Sequence, residues 1–299
     1  MKLIGLMLAR NEDWILGMTA RVALQWCDEL VIVDHASWDG TEGIITQLNG
    51  EFPFRVNRSK WDDDTKWDEM EIRQHSLELG RKFGGTHFAI IDSDEALTYN
   101  LLADVRSAFE KLEPGQCLDL PMIAPHRGLG MYRDDQSVWS RSKITLGFRD
   151  VRPVGKDPGL FWKARDVGYQ HHARPPQGVQ EKRLEPLADK RQGGVFHLQW
   201  ASWDRLLWKH RAYKMMEVIR WPGREPVAEV DRKYSQALDE SEIKLSPIPD
   251  HFWGDYPKSL VRLKHNPWYI GECHRMLAEK GKDYFAGLDL CGFPKEWPV

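Results

Sequence analysis

The sequence predicts an α/β fold in which a mostly parallel central sheet is flanked by helices and followed by a mixed β region and a helical C-terminal extension. In residues 1–112, apolar runs of strand length alternate with segments whose apolar residues recur at helical spacing. Such alternation is typical of parallel sheets covered by helices on both faces. After residue 112 the alternation stops, because Pro, Gly and charged residues interrupt the apolar runs.

The first half of the chain is predicted to contain four parallel strands and the helices that connect them. Apolar runs place these strands at residues 2–8, 29–34, 54–57 and 87–92. Helices are predicted after Asn11, from about residue 42, over residues 66–83 and over residues 100–112. Asn11 is a favourable N-cap, and the acidic residues after it suit the positive end of a helix.

Residues 113–299 are predicted to contain shorter strands, long loops and further helices. The strands are expected at residues 117–123, 138–148 and 195–200. Residues 151–194 lack periodicity and carry several Pro and Gly, which predicts long loops at a binding face. Ser202 is a predicted cap for a helix that ends near Trp221, and loops with one or two helices follow.

Three carboxylates follow the fourth predicted strand within four positions, at Asp92, Asp94 and Glu95. Ligands of open α/β sheets bind at the carboxyl ends of the strands. On a continuing strand, Asp92 and Asp94 would share one face. Two oxygen ligands beside a pocket suit Mg²⁺ or Mn²⁺ carrying phosphates. The alternative is a polar turn that caps the next helix.

Composition excludes few classes of function. The net charge of −3 and the pI near 6.4 do not indicate a nucleic-acid or membrane surface. No apolar run reaches the ~18 residues needed to span a bilayer. The four cysteines are scattered, which favours a reducing, cytoplasmic location. The 14 tryptophans suit either a carbohydrate pocket or a core.

Three segments together resemble the family 2 glycosyltransferases with the GT-A (Rossmann-like) fold. They are Ala9-Arg10-Asn11-Glu12 after the first strand, residues 31–41 after the second, and residues 90–95 after the fourth. The last segment is similar to the D-x-D metal motif of that family. His35 and Trp38 depart from the small or polar residues usual in the second segment. The resemblance covers about the first 110 residues.

The resemblance implies a catalytic domain over residues 1–221 and an extension over residues 222–299. Within the domain, residues 1–112 would bind the nucleotide and residues 113–221 the acceptor. Asp34 would accept a hydrogen bond from the base, most often uracil, and Arg73 would reach the diphosphate. The residues implied in donor binding are Ala9, Arg10, Asn11, Glu12, Asp34, Asp39, Arg73, Asp92 and Ser93.

The resemblance also implies a metal site. Asp94 would ligate Mn²⁺ or Mg²⁺ directly, and Asp92 would contact the ribose or a metal-bound water. Residues 196–202, followed by Lys209, resemble a segment whose histidine completes the metal site, so His197 is the third predicted ligand. An imidazole in the ligand set suits Mn²⁺ better than Ca²⁺.

The implied reaction moves a sugar from a nucleoside-diphosphate sugar, UDP-linked in most such enzymes, to a glycan or other hydroxyl acceptor, with inversion. Inversion needs a carboxylate base for the acceptor hydroxyl. Seven acids lie in the relevant region, namely Asp134, Asp135, Asp150, Asp157, Asp166, Glu181 and Glu185. Asp157 and Asp166 are the predicted candidates, because they lie in the loops ahead of His197. His171 and His172 would contact acceptor or phosphate, or have no catalytic role.

Two other classes of protein stay open. A nucleotidyltransferase shares the topology and the metal carboxylates but is expected to carry a Gly-rich loop with a basic residue after the first strand. A non-catalytic carbohydrate-binding protein would use the tryptophans for sugar. A modified nucleic acid is a less favoured acceptor, because the chain is slightly acidic.

Overall fold

The computed structural model describes residues 1–62, 69–163, 174–265 and 267–290. The strands are β1 (Leu3–Ala9), β2 (Glu29–His35), β3 (Val56–Trp61), β4 (His87–Asp92), β5 (Glu95–Leu97), β6 (Cys117–Ile123), β7 (Met131–Arg133), β8 (Lys143–Arg149), β9 (Val195–His197) and β10 (Leu245–Pro247). The helices are α1 (Leu16–Ala23), α2 (Thr41–Glu51), α3 (Glu69–Lys82), α4 (Leu102–Glu110), α5 (Val138–Arg141), α6 (Trp203–Arg220), α7 (Val227–Ser235), α8 (Asp250–Trp253) and α9 (Tyr269–Lys280).

Eight strands form one sheet in the order β3-β2-β1-β4-β8-β6-β9-β5. The four strands β3, β2, β1 and β4 run parallel to one another. Antiparallel pairing begins where β4 meets β8. A second, two-stranded sheet pairs β10 with β7. The predicted mostly parallel sheet followed by a mixed β region is confirmed.

The parallel strands are buried on both faces because their side chains alternate between two layers of helices. Leu3 and Met7 of β1 pack in a cluster with residues of α1, α2 and α4. Ile4 and Leu6 of the same strand pack in a different cluster with residues of α3. A side-chain period of two along a strand requires this alternation. The continuous apolar runs in the sequence follow from burial on both faces.

Register brings the carboxyl ends of three strands to one edge of the sheet. Ala9 of β1 pairs with Asp34 of β2, and Leu8 pairs with Asp92 of β4. The polar residues that end these strands therefore lie side by side. This edge is where an open α/β sheet binds its ligands.

Several local predictions are wrong. Asn11 is not an N-cap: its φ is 54°, and α1 begins at Leu16. Phe54 precedes β3 and is 93% exposed. Residues 138–148, predicted as one strand, divide into α5 and β8, because Ser137 caps a short helix by accepting the Ser140 N–H. Asp92 and Asp94 do not share a strand, since Ser93 and Asp94 form a turn.

The C-terminal helices pack on α6. Ala212 and Met215 of α6 contact Tyr269, Cys273 and Met276 of α9 in one apolar cluster. The helix predicted after Ser202 is confirmed as α6, but the Ser202 hydroxyl does not cap it and donates instead to the Leu263 carbonyl. The divisions at residues 112 and 221 stay predictions. Within the described ranges, none of the helices has the length and apolar character that crossing a membrane requires.

Candidate functional site

A cavity of about 1980 Å³ lies between the carboxyl edge of the sheet and the C-terminal helices. One wall comes from the polar segments after β1, β2 and β4, and includes Asn11, Trp38 and Asp94. A second part of the wall comes from α6, α9 and the residues just before α9, and includes Lys209 and Trp268. The extension therefore forms part of the cavity, beyond the packing role expected from sequence.

Asp92 ends β4 and is held by two arginines. Arg73 Nη2 lies 2.8 Å from Asp92 Oδ1, and Arg174 Nη1 lies 3.1 Å from Asp92 Oδ2. Although burial opposes ionisation, the two guanidinium groups hold the pKa of Asp92 well below its usual range. Arg73 also pairs with Glu69 on the cavity wall. Asp92 is thus an ionised wall residue whose two oxygens already accept hydrogen bonds.

Arg174 ties the acidic turn to the rest of the sheet. Its guanidinium donates to both carboxylate oxygens of Glu95, to the Ile90 carbonyl at 2.6 Å and to the Thr145 carbonyl at 2.8 Å. Glu95 is 1% exposed, and its carboxylate also accepts the Asp92 N–H. Burial raises the pKa of Glu95 to about 7 in spite of Arg174. These hydrogen bonds of Arg174 and Glu95 fix the position of the Ser93–Asp94 turn.

Asp94 and His197 face each other on the cavity wall. His197 Nε2 lies 3.7 Å from Asp94 Oδ1, and Arg205 Nη1 lies 3.9 Å from Asp94 Oδ2. Burial lowers the pKa of His197 to about 4, so the ring is neutral at pH 7. Its Nδ1 lies 3.4 Å from Met122 Sδ. In the tautomer protonated at Nδ1, Nε2 would offer a lone pair to a cation beside the carboxylate.

The positions of the predicted metal ligands can be compared with what a cation needs. Two lone-pair donors that face each other across 3.7 Å fit a divalent cation between them. Asp92 is turned toward Arg73 and Arg174 instead, and the described residues contain no group of three or more His, Cys, Asp or Glu side chains arranged to hold a metal. The structure thus brings two of the three predicted ligands together. Mg²⁺ and Mn²⁺ sites completed by substrate phosphates and water need no more protein ligands than that.

Behind this pair lies a buried network centred on Arg205. Arg205 is 1% exposed and lies against the rings of Trp14 and Tyr269, at 4.9 and 5.5 Å from their centroids. Its Nη2 donates to Glu12, which also accepts the Trp14 indole N–H at 2.6 Å. Burial raises the pKa of Glu12 to about 7, and Asp94 adds to the effect. Arg205 therefore links the segment after β1, the acidic turn and α9.

The segments after β1 and β2 are locked together by side-chain to backbone hydrogen bonds. Asn11 Oδ1 accepts the Trp38 N–H at 2.9 Å, and Ser37 Oγ accepts the Asn11 N–H at 2.9 Å. Asp39 accepts the backbone N–H groups of Asp13 and Thr41. These contacts explain why polar residues follow both strands at these spacings. Asp39 lies on the cavity wall, where burial raises the pKa of its carboxyl.

Asp34, the predicted base reader, is engaged away from the cavity. Its Oδ2 lies 3.0 Å from Arg58 Nη2, and its Oδ1 accepts the Ser37 N–H at 3.2 Å. The side chain is 3% exposed and is not on the cavity wall that the described residues form. Asp34 and Asp94 do lie at the same edge of the sheet, at the ends of β2 and just beyond β4.

The other predicted residues fall into three groups. Arg10, Glu12, Arg73 and Ser93 lie on the cavity wall. Ala9 is buried in β1, and Asp157 is an exposed turn residue that accepts the Gly159 N–H at 2.8 Å, away from the described cavity wall. Asp166, His171 and His172 lie outside the described residues.

Three residues of the site carried no usable signal in the sequence. Arg174 lies in a segment without periodicity, and its partners are near residues 92 and 95. Arg205 has the spacing of an ordinary helical residue on α6. Trp268 follows Pro267 in a stretch predicted only in outline, as loops with one or two helices. Long-range pairing of this kind becomes visible only in three dimensions.

Comparisons with known proteins give distant similarities. No family model matches the chain, and no curated protein matches it. A structure of S. aureus TarS 1-349 in complex with UDP is 14% identical over 50% of this chain and 47% of that chain, with a TM-score of 0.34. A putative glucose-1-phosphate thymidylyltransferase from Bacillus anthracis in complex with a sucrose is 11% identical over 90% and 99%, with a TM-score of 0.31.

A third structure, described as a mycobacterial protein, is 17% identical over 42% of each chain, with a TM-score of 0.28. The chain thus spans about half the length of the TarS structure that it matches. Similarity at these TM-scores is not evidence of a shared function.

Proposed function

We propose that this chain is a glycosyltransferase that moves a sugar from a nucleoside-diphosphate sugar, in the first instance a UDP-sugar, to a hydroxyl acceptor with inversion. The observation that carries the proposal is the pairing of Asp94 with a neutral His197 in a cavity at the carboxyl edge of a parallel sheet. That edge is where α/β sheets bind nucleotides.

The cation expected in this reaction is Mn²⁺ or Mg²⁺. Asp94 Oδ1 and His197 Nε2 would hold it, with diphosphate and water oxygens as the remaining ligands. When bound, such an ion stabilises the negative charge that develops on the departing diphosphate. Asp92 would contact the ribose, which fits a carboxylate kept ionised by Arg73 and Arg174.

Basic side chains of the cavity would share the charge of the diphosphate. Lys209 lies on the wall and donates to Gln199 at 3.1 Å, which orients its ammonium group. Arg73 is on the same wall, but Glu69 and Asp92 already accept from it. Lys209 is therefore the better-placed cation for a phosphate oxygen. Arg73 would instead act through Glu69 and Asp92, the two carboxylates that accept from it.

The size of the cavity supports a two-substrate reaction. Pockets for one drug-sized ligand measure about 300–1,000 Å³. A cavity of about 1980 Å³ leaves room for an acceptor beside the donor. The acceptor would lie toward α6 and α9, where Tyr213 and Tyr269 are on the wall. Aromatic and polar groups together suit a glycan or another hydroxyl compound. The base stays a prediction, at Asp157 or Asp166; Asp157 lies away from the described cavity wall, and Asp166 lies outside the described residues.

A donor-hydrolysis screen tests the proposal. The full chain with Mn²⁺ is incubated with UDP-, GDP- and TDP-sugars, and released nucleoside diphosphate is measured. Slow hydrolysis of one donor is expected, and Asp94→Asn should abolish it while Asp104→Asn, an exposed substitution on α4, should not. Pyrophosphate release from a nucleoside triphosphate and a sugar phosphate would instead identify a nucleotidyltransferase. Metal-independent glycan binding without hydrolysis would identify a carbohydrate-binding protein.

A further inference from the structure

Trp38 is a large aromatic residue that stays exposed on the cavity wall. Trp38 is 61% exposed, whereas the other tryptophans of the described ranges are buried or half-buried. The residue follows β2, and its backbone N–H is held at 2.9 Å by Asn11 Oδ1. The loop is therefore fixed, and the exposure of the indole is not a sign of a loose segment.

One side of Trp38 is supported by a cation and a second tryptophan. The Arg10 guanidinium carbon lies 5.6 Å from the ring of Trp38 and 5.4 Å from the ring of Trp268. The two indoles meet edge to face, with centroids 5.5 Å apart. Trp268 comes from the C-terminal extension, so two distant parts of the chain hold this indole in place. A rigid, supported ring with exposed area is a stacking platform.

Asn11 supplies an unpaired hydrogen-bond donor beside this platform. The residue is 4% exposed and lies on the cavity wall, and its φ of 54° is a conformation that Asn tolerates better than most residues. Because Oδ1 accepts the Trp38 N–H, the orientation of the amide is settled. Its Nδ2 is buried and has no partner among the described residues. An unpaired buried donor is costly, so an acceptor from a ligand would stabilise it.

The carboxylate that the family resemblance assigns to base recognition is engaged elsewhere. Both oxygens of Asp34 are in hydrogen bonds, to Arg58 and to the Ser37 N–H. Trp38 is one of the two departures from the usual residues of that segment. Recognition of the base in this chain therefore needs other groups.

We infer that the nucleobase of the donor stacks on Trp38 and accepts a hydrogen bond from Asn11 Nδ2 through a ring carbonyl oxygen. This inference rests on the proposed function. A donor-only group selects a base with a carbonyl oxygen on the edge that it faces; uracil and thymine carry two such oxygens, cytosine and guanine one, and adenine none. Adenine presents an amino group there, which would face Nδ2 donor to donor. Two strand spacings, about 10 Å, separate the β2 side of the edge from β4 and the acidic turn, a span that suits a nucleoside.

Calorimetric binding of UDP and of inorganic pyrophosphate to the full chain with Mn²⁺ tests this subsite. Trp38→Ala should weaken UDP binding about tenfold or more and leave pyrophosphate binding unchanged, since pyrophosphate has no base. Trp38→Phe should recover most of the affinity. Phe54→Ala, which removes an exposed aromatic residue outside the cavity, is the matched control.

Asn11→Asp is the complementary variant, because it keeps the acceptor for Trp38 and replaces the amide donor with an acceptor. It should weaken UDP binding about tenfold and weaken CDP binding less, since the amino group of cytosine can donate to the new carboxylate. Unchanged UDP affinity in both Trp38→Ala and Asn11→Asp would overturn the inference, as would an equal loss for UDP and pyrophosphate. If the variants change UDP binding as expected but the chain transfers no sugar, the inferred subsite stands and the proposed function is overturned. A wild-type chain that binds no nucleotide would overturn both.

Discussion

Nε2 of His197 lies 3.7 Å from Oδ1 of Asp94, and both residues line the cavity. The two residues are brought together because β9, which ends at His197, pairs with β5, which begins one residue after Asp94. Glu95 of β5 is in register with His197 itself. The pairing of two three-residue strands therefore creates the candidate cation site.

Removing either donor should reduce cation-dependent nucleotide binding. Loss of a residue that only orients a ligand typically costs 10–100-fold in metal affinity, so His197→Ala or Asp94→Asn should cost at least about tenfold. Mn²⁺ is titrated into the chain with UDP, and binding is measured by calorimetry or by electron paramagnetic resonance of the free Mn²⁺. His251→Ala, an exposed residue of α8, should leave the titration unchanged. If His197→Ala binds Mn²⁺ as tightly as wild type, His197 is not a ligand of the cation.

The parallel half of the fold is predictable from sequence, whereas much of the site is not. Strands β1, β2 and β4 are buried on both faces, so their apolar runs are continuous and are bounded by polar residues. The ends of these strands also indicate the correct edge of the sheet. Arg174 could not be predicted, because its hydrogen bonds reach about 80 residues back along the chain to Asp92 and Glu95.

Of the two short strands that form the site, the sequence predicts β9, as part of the strand at residues 195–200, but not β5. β5 has three residues, too few for a period-two pattern to be distinguished. The sequence predicts Asn11 as a helix cap because its side chain suits that position. In the structure a tertiary contact uses the same oxygen, which accepts the Trp38 N–H instead. Local preference is overridden by a partner 27 residues away.

Arg174→Met should strongly destabilise the fold. The substitution leaves Glu95 buried without its cationic partner, and breaking a buried ion pair in this way typically costs about 3–5 kcal/mol. Urea unfolding measures the change in the free energy of unfolding. Adding Glu95→Gln to Arg174→Met should restore part of the stability, because the amide is neutral and needs no cationic partner. Arg232→Met, which breaks an exposed pair with Glu229, should leave the free energy of unfolding close to that of wild type.

Acid should destabilise the chain partly through His87. Burial, with smaller effects of Arg149 and the N-terminus, lowers the pKa of His87 to about 4. An unfolded histidine has a pKa of about 6.5. Between about pH 6.5 and pH 4 the unfolded chain therefore binds a proton that the folded chain does not, and stability falls as the pH falls.

His87→Gln removes this proton and should flatten the dependence. The difference in free energy of unfolding between variant and wild type should shift in favour of the variant as the pH drops from 7 to 4.5. The shift is at most about 1.4 kcal/mol per pH unit. The comparison uses urea unfolding at several pH values, with His251→Gln as the exposed control. If the free energy of unfolding of His87→Gln and of wild type changes with pH in parallel, the buried His87 ring does not cause the loss of stability in acid.

The junction between the parallel and antiparallel halves of the sheet requires a glycine. Gly147 of β8 pairs with Ala89 of β4. A Cβ at Gly147 would lie 2.3 Å from the Phe88 carbonyl oxygen and 2.7 Å from the ring of Phe109. Gly147→Ala should therefore force β4 and β8 apart and cost about 1–3 kcal/mol, as other overpacked sites do. Because β4 carries Asp92 into the cavity, the same substitution should also weaken UDP binding.

Gly43→Ala provides the matched comparison. Gly43 lies in α2, where an added Cβ meets nothing within 4 Å. Alanine loses less backbone entropy than glycine on folding, so this variant should be more stable than wild type by about 0.5–1 kcal/mol. Thermal unfolding of the two variants should move in opposite directions from wild type. A Gly147→Ala variant as stable as wild type would mean that β8 does not pair with β4 through Gly147 and Ala89.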